Sequence, residues 1–234
     1  MKTDVKLIFL GHSAFKLVSP AGKVLYIDPF LKNNPTTPDE YKEPKKADYI
    51  LLTHGHEDHV GETLEIAKRT GAKVVSIVEL SGLLKADGLN EDQAIEFNKG
   101  GTVHFDDFSV TLTNANHSSS FGGRYAGDPA GLVIRFKDDI TVYHAGDTNI
   151  MPEFEIYGTL YQPDITMLPI GDHYTMGDQE AAIAAGMIGA GLFIPIHYGT
   201  FPPLTGSPET FKTEAEKLLN GKGKVHIMKP GESL

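Results

Sequence analysis

Within one short stretch of chain, His54-Gly55-His56-Glu57-Asp58-His59 sets three imidazoles and the Asp58 carboxylate close together. Imidazole and carboxylate are ligands for divalent first-row ions, and these four are enough to begin two metal sites with two or three donors each. They follow the apolar run Tyr49-Ile50-Leu51-Leu52. His54 and His56 are two apart, so in an extended chain their rings leave the same side. Gly55 between them lets the backbone bend with no side chain obstructing the metals. Asp58 and His59 fall where the chain turns into a helix and can point back at the strand end. A solvated strand-to-helix loop would also tolerate polar residues, but three His and an Asp directly after a buried strand is a rare coincidence.

The remaining ligands should come from other strand ends that converge on the same edge. His117 follows the apolar run 108–113, Asp147 follows 140–144, and His197 follows 192–196. Each has small or turn-forming neighbours, and Gly146 allows a tight turn presenting the Asp147 carboxylate. Taken singly each position is weak; the three together are a pattern.

Composition narrows the chemistry. There is no cysteine, so thiolate zinc sites, iron–sulfur clusters, disulfides and a cysteine nucleophile are excluded, and His and carboxylate must hold any metal. The formal net charge is −10, which disfavours nucleic acid, whose binding relies on Lys and Arg neutralising phosphates. Two divalent ions would offset only part of that charge. No apolar run approaches the roughly 20 residues needed to span a bilayer. The apolar stretch Val5–Leu10 alternates and runs into Gly11-His12-Ser13, so a first strand and a cytoplasmic protein are expected, with no membrane partner.

The elements that would position these groups follow from periodicity and turn chemistry. Strands are expected at 5–10, 15–19, 23–27, 49–53, 73–78, 102–105, 108–113, 131–136, 140–144, 165–169, 192–196 and 224–228. Helices are expected at 60–70, 78–86, 92–97, 179–188 and 208–219. The last has Ser207 as N-cap and Pro208 at its first position. Segment 32–46, rich in Pro, Asn and Lys, reads as a surface loop that could edge a site. At 234 residues, one domain over 1–234 is the default. Hairpins and helices in the first half, repeated in the second, predict an α/β layering of two sheets with helices outside.

Other polar positions have more than one use. His12, at the end of the first strand, could face the site or hydrogen-bond a turn. Asp28, before Pro29, would support a ligand histidine. His173 could touch substrate or a supporting carboxylate. His144 should pack or orient Asp147, while His104 and His226 lie inside strands as structural or surface residues. Arg124 and Tyr125 could bind an anion, although a solvated loop is the commoner outcome.

The His-x-His-x-Asp-His motif resembles that of the metallo-β-lactamase superfamily, and the resemblance extends over essentially the whole chain. The segments Gly11-His12-Ser13-Ala14-Phe15, Ile27-Asp28-Pro29-Phe30 and Pro169-Ile170-Gly171-Asp172-His173-Tyr174-Thr175-Met176-Gly177 look like the metal-dependent hydrolase branch near the ascorbate-6-phosphate lactonases. The resemblance implies an αββα sandwich of two mixed sheets, face to face, with helices on both outer sides. It also implies one metal on His54, His56 and His117, a second on Asp58, His59 and His197, and Asp147 bridging both. Redox relatives with a di-iron site carry Glu in place of the second His of the motif. His56 stands there, which favours hydrolysis.

Two ions close together would lower the pKa of a bridging water and supply hydroxide near neutral pH. Asp58 would orient that nucleophile and pass its proton to the leaving group as the catalytic carboxylate. Two divalent ions less Asp58 and Asp147 leave a positive site that attracts anions. The expected substrate is therefore a small, anionic ester, lactone or phosphate-bearing metabolite. A phosphodiesterase and a non-catalytic metal-binding sensor or scaffold are the alternatives. Zinc is the first expectation for the two divalent ions, with manganese, iron, cobalt or nickel also suited to these donors. A homo-oligomer stays open.

Overall fold

The computed structural model describes residues 4–234. The first sheet begins as a meander, with β1 (Lys6–Gly11), β2 (Ala14–Val18) and β3 (Val24–Ile27) paired antiparallel. It continues in parallel through β4 (Tyr49–Leu51), β5 (Lys73–Ile77) and β6 (Ala94–Phe97). Parallel neighbours need crossovers. These include α1 (Glu57–Val60) with α2 (Thr63–Thr70) before β5, and α3 (Val78–Ala86) before β6.

The second sheet mirrors that plan. β7 (Thr102–His104) and β8 (Phe108–Asn114) form a hairpin; β9 (Ser120–Phe121) and β10 (Arg124–Tyr125) form a small separate one. β11 (Ala130–Phe136) pairs with β8 and with β12 (Thr141–His144), all antiparallel. After α4 (Glu153–Tyr161) the sheet turns parallel, with β13 (Ile165–Pro169), β14 (Leu192–Ile196) and β15 (Lys224–Val225) separated by α5 (Asp178–Ile188) and α6 (Pro208–Leu219). This is the expected αββα sandwich of two mixed sheets.

Alternation of side chains along the strands builds the layers. Val142, Met167, Leu192, Ile194 and Ile196 share one buried cluster with Leu7, Phe15, Leu25, Ile50 and Val74 of the first sheet. Their strand neighbours Tyr143, Leu168 and Phe193 face the other way, joining Phe154, Ala181, Ala185, Phe211 and Ala215 of the outer helices. One core therefore lies between the sheets and a second lies under α4, α5 and α6.

Four readings of the elements are corrected. Residues 92–97 do not form a helix: Glu91–Gln93 make one tight 3₁₀ turn and Ala94–Phe97 extend as the edge strand β6. Six residues are too few to nucleate a helix without tertiary support, and Val75↔Ile95 pairing with β5 offers a better partner. The helix expected from Val60 starts earlier, at Glu57, and breaks at Gly61 before resuming at Thr63. Helix α4 was not anticipated, because its Tyr-rich, Gly-containing sequence has no clear apolar stripe. Segment 32–46 is more than a surface loop, since Asn34 and Thr37 are buried and Thr37 Oγ1 donates to the Leu10 carbonyl at 2.6 Å.

Gly61 ties the motif to this frame. Its backbone (φ +44°, ψ −125°) is closed to L side chains. A Cβ there would stand 2.4 Å from the Pro29 carbonyl oxygen and 2.5 Å from Phe30 Cα. Gly61→Ala should therefore destabilise the protein by roughly 2–4 kcal/mol. A thermal melt unchanged from wild type would refute that close approach.

Candidate metal centre

The motif sits beyond the carboxyl end of β4, on the edge where β1, β8, β12 and β14 also end, the usual location of sites in α/β sheets. The Ala130 N–H donates to the Thr53 carbonyl at 3.0 Å, tying this edge of the first sheet to the second. The Asn116 N–H donates to Thr148 Oγ1 at 3.0 Å, which holds the His117 loop against the Asp147 loop. Gly146 has φ +65°, as its turn requires. Gly55 serves differently from expectation. A Cβ there would meet Ala126 Cβ at 2.5 Å and the Ser120 backbone, so glycine is needed for the β9–β10 hairpin to approach.

All seven expected ligands come together. Asp147 Oδ2 stands 4.0 Å from His54 Nε2, 3.3 Å from His59 Nε2, 3.6 Å from His117 Nε2 and 3.0 Å from His197 Nε2. His54 Nε2 and His56 Nδ1 are 2.9 Å apart, and His197 Nε2 is 3.7 Å from Asp58 Oδ2. Donors each about 2.1 Å from one tetrahedral ion stand about 3.4 Å apart, so these spacings match atoms that share an ion. Two groups have their donor atoms mutually within reach of one ion, His54-His56-His117 and His12-Asp58-His59-His197; Asp147 groups with His54 and His59.

Satisfaction of polar atoms tests the fit. His59 Nε2, both ring nitrogens of His197, and Asp147 Oδ1 are buried with no hydrogen-bond partner among the described residues. Leaving such groups unpaired costs about 1–3 kcal/mol each. His59 and His197 stand near Asp147 but are not aligned on it, as expected of donors directed at a common point. A divalent ion suits this donor set of imidazole and carboxylate.

Asp28 organises the motif from beneath. It is fully buried, and its Oδ2 accepts from His59 Nδ1 at 2.8 Å and from the Thr53 hydroxyl at 2.6 Å. Its Oδ1 accepts from the Thr53 N–H at 2.9 Å. Thr53 Oγ1 in turn lies 3.0 Å from His54 Nδ1. One carboxylate thus orients a histidine in each group and leaves both Nε2 atoms facing the site, the supporting role expected for it. His144 fixes the next turn: its Nδ1 accepts from the Gly146 N–H at 3.1 Å and its Nε2–H donates to the Ser13 carbonyl at 3.0 Å.

Electrostatics follow from burial and crowding. Burial, with His59 nearby, drives His54 well below its ordinary pKa, and burial also lowers His56 and His117. Burial opposes charge on His197 too, but Asp147 and Asp58 raise it to about 9; Asp147 and Asp28 similarly raise His59 against its burial. Although burial disfavours both carboxylates, His197 and His59 hold Asp147 well below its usual range, and His12 and His197 do so for Asp58.

The remaining candidates separate. His12 is buried against Asp58, 3.1 Å from its Oδ2. His173 is exposed and packs on the Tyr174 ring; Tyr174, one residue on, lines the pocket instead. Arg124 pairs with Asp87 and the Tyr125 hydroxyl donates to Asp128, so both are engaged away from the metal ligands. His226 pairs with Glu232, and His104 is exposed. Besides ligand-type residues, the pocket of about 280 Å³ is lined only by Ser118 and Tyr174. Ser118 Oγ lies 3.4 Å from His56 Nε2. Nothing in the sequence marked Ser118, Tyr174, Thr53 or Thr200, because an isolated hydroxyl carries no spacing signal.

Residues 23–198 match the beta-lactamase superfamily domain. The chain belongs to the metallo-β-lactamase superfamily. A UPF0173 metal-dependent hydrolase of Herpetosiphon aurantiacus is 44% identical over 98% of this chain and 97% of its own. One of Staphylothermus marinus is also 44% identical, over 96% of each chain. The solved structure of Igni18, a metallo hydrolase of Ignicoccus hospitalis, superposes with TM-score 0.86 at 40% identity and covers 98% of this chain and 97% of that one. This member of the superfamily is a metal-dependent hydrolase, and its His/Asp cluster is able to bind metal. No helix among its described residues is long and apolar enough to cross a membrane.

Two outcomes follow for the hydrolase. Asp28→Asn replaces an acceptor of two hydrogen bonds by an amide N–H₂ and should weaken metal binding about 10–100-fold, measured by competition with a chromophoric chelator. Metal binding also competes with protons, because a ligating imidazole must be neutral. With His197 raised to about 9, metal uptake by chelator-stripped protein at pH 7 should release protons. Apparent affinity should rise from pH 7 to 9, and a flat profile in calorimetry would contradict the raised value.

Proposed function

We propose that the hydrolase works with two divalent ions and acts on a small ester, lactone or phosphate-bearing metabolite. The observation that carries this proposal is Asp147 Oδ2, which lies between imidazole nitrogens of both groups at 3.0–4.0 Å. His54, His56 and His117 would hold one ion, Asp58, His59 and His197 the other, with Asp147 facing both. Zinc suits the donors first, and manganese, iron, cobalt or nickel also fit a thiolate-free set. When bound, the ions supply an activated water at neutral pH and a Lewis acid for the substrate oxygen.

The chain's own residues do the rest. Asp58 is the one carboxylate of the centre that is partly exposed, with 32% of its side chain accessible. Ionised at neutral pH, it can accept a hydrogen bond from the nucleophilic water, orient it, and pass the proton to the leaving group. Burial of His54, His59, Asp147 and His197 excludes bulk water from their side of the centre. Ser118 and Tyr174 offer hydroxyls to the substrate where they line the pocket.

Charge sets the substrate class. Asp28 joins Asp58 and Asp147, so three carboxylates stand against two divalent ions and one net positive charge remains, less than the two ligand carboxylates alone imply. That favours a substrate whose negative charge is confined to the reacting group. The neutral rest of the molecule would lie against Tyr174 and Ser118, since Arg124 is engaged by Asp87. The chain's net charge of −10 disfavours a nucleic-acid partner.

Metal-loaded protein should hydrolyse at least one member of a panel of esters, lactones and phosphodiesters, and lose that activity to chelation. Asp147→Ala should remove at least one ion per chain by elemental analysis. An inactive loaded protein would favour a sensor, and unchanged metal content would refute the shared role of Asp147.

A further inference from the structure

His12 lies in the turn between β1 and β2, 2% exposed, with its backbone in the left-handed region (φ +57°). Both of its ring nitrogens are engaged. Nε2 is 3.1 Å from Asp58 Oδ2 and Nδ1 is 3.0 Å from Thr200 Oγ1. Its carbonyl accepts from the His197 N–H at 2.9 Å, and the two rings pack with centroids 4.1 Å apart. One residue therefore touches the carboxylate of the motif on the first sheet and the backbone of a ligand carried by the second.

The hydrogen-bond chemistry selects a tautomer. A neutral imidazole has one N–H and one acceptor, and a carboxylate only accepts. With hydrogen on Nε2, the ring donates to Asp58 and accepts from the Thr200 hydroxyl, satisfying both contacts. With hydrogen on Nδ1, a lone pair would oppose the Asp58 carboxylate at 3.1 Å, and the Thr200 hydroxyl would turn to the Tyr198 carbonyl at 3.4 Å. The first arrangement is the better satisfied. It also separates His12 from His59 and His197, whose Nε2 atoms have no hydrogen-bond partner.

Asp58 needs such a partner. It sits on the four-residue helix α1 with its side chain one-third exposed. Its other close site group is His197 Nε2 at 3.7 Å. A donor on Oδ2 narrows the rotation of the carboxylate about its side-chain bonds, so fewer orientations compete with the one that places an oxygen toward the nucleophile.

We propose that His12 is the positioning residue of the Asp58-His59-His197 half of the centre. Its Nε2–H holds the Asp58 carboxylate, Thr200 locks the ring, and its carbonyl holds the backbone of His197. His12 acts through these groups and does not ligate. This role rests on the two-ion proposal made above.

The test compares wild type, His12→Ala and His12→Gln, each stripped by chelation and titrated with zinc. Gln retains an amide N–H₂ at about the reach of Nε2. Three quantities are read: zinc bound at saturation, the affinity of the weaker ion by chelator competition, and kcat and KM on a substrate from the panel. His12→Ala should still bind two ions, hold the weaker one about 10–100-fold less tightly, and lose kcat with KM changed only a few-fold. His12→Gln should recover most of both losses, which a merely structural role for the ring would not produce.

Loss of a whole ion at saturating zinc in His12→Ala, unrescued by Gln, would make His12 a ligand and overturn the proposal. Equality of both variants with wild type would overturn it as well. Wild-type protein that takes up one ion at saturation would instead overturn the two-ion proposal, and that shows before any substitution is compared. Comparison of the stripped proteins' melting temperatures keeps the outcome independent of folding, because the affinity ratio is read only on variants that melt cooperatively.

Discussion

The arrangement depends on one carboxylate. Asp147 is 2% exposed and faces four imidazole nitrogens from three separate segments of chain. Taking an ionised carboxylate out of water costs several kcal/mol unless positive or donating groups replace the solvent. The fold answers by ending β4, β8, β12 and β14 on the same edge, so that His54, His59, His117 and His197 surround it. The turns that allow this are unusual ones. Gly146 and His197 both take left-handed backbone, and the glycine is the residue type for which that conformation is least costly. The two cores supply the rigidity, since β12, β13 and β14 are packed on both faces and cannot shift to relieve the crowding.

Much of this was legible in the sequence because ligand chemistry and strand ends leave separable signals. β13 and β14 match expectation residue for residue, being short apolar runs bounded by Gly, Pro and Asp. The candidate ligands are legible because they are His and Asp residues gathered in the motif after β4 or placed just after other apolar runs. β6 was misread because its order comes from pairing with β5, a tertiary partner that no local window contains. Gly55 was seen as special for the wrong reason; its neighbour Ala126 is 71 residues away in sequence. The hydroxyls of Thr53, Ser118, Tyr174 and Thr200 were invisible because nothing distinguishes them from surface residues until the turns are folded.

The full-length likeness to metal-dependent hydrolases shows the reaction class, while the fold leaves selectivity to the few residues around the site. Here those residues are notable for what they are made of. Ser118 and Tyr174 are neutral, Arg124 is neutralised by Asp87, and the Asp28 carboxylate stands directly behind His59. An anionic tail would find no lysine or arginine among the residues lining this pocket. On the proposed function, selectivity would come from shape and from contacts to Ser118 and Tyr174, both of which are exposed.

Strain and polarity coincide at this centre. His12, Asp28 and His197 all take left-handed backbone, at about 1–3 kcal/mol each for residues other than glycine. Asp28 fastens the motif within the first sheet through His59 and Thr53, while His12 bridges the sheets, from Asp58 on the first to Thr200 and the His197 backbone on the second. Such conformations persist only where the surroundings over-determine them. The β1–β2 turn is so determined, since a Cβ on Gly11 would meet Thr36 Oγ1 at 2.3 Å and Thr37 holds the Leu10 carbonyl. One backbone hydrogen bond joins the two left-handed histidines, so disturbing either should be felt at both. The segment from 33 to 37, remote from the motif in sequence, thereby helps to set the position of His12 and, through it, of the Asp58 carboxylate.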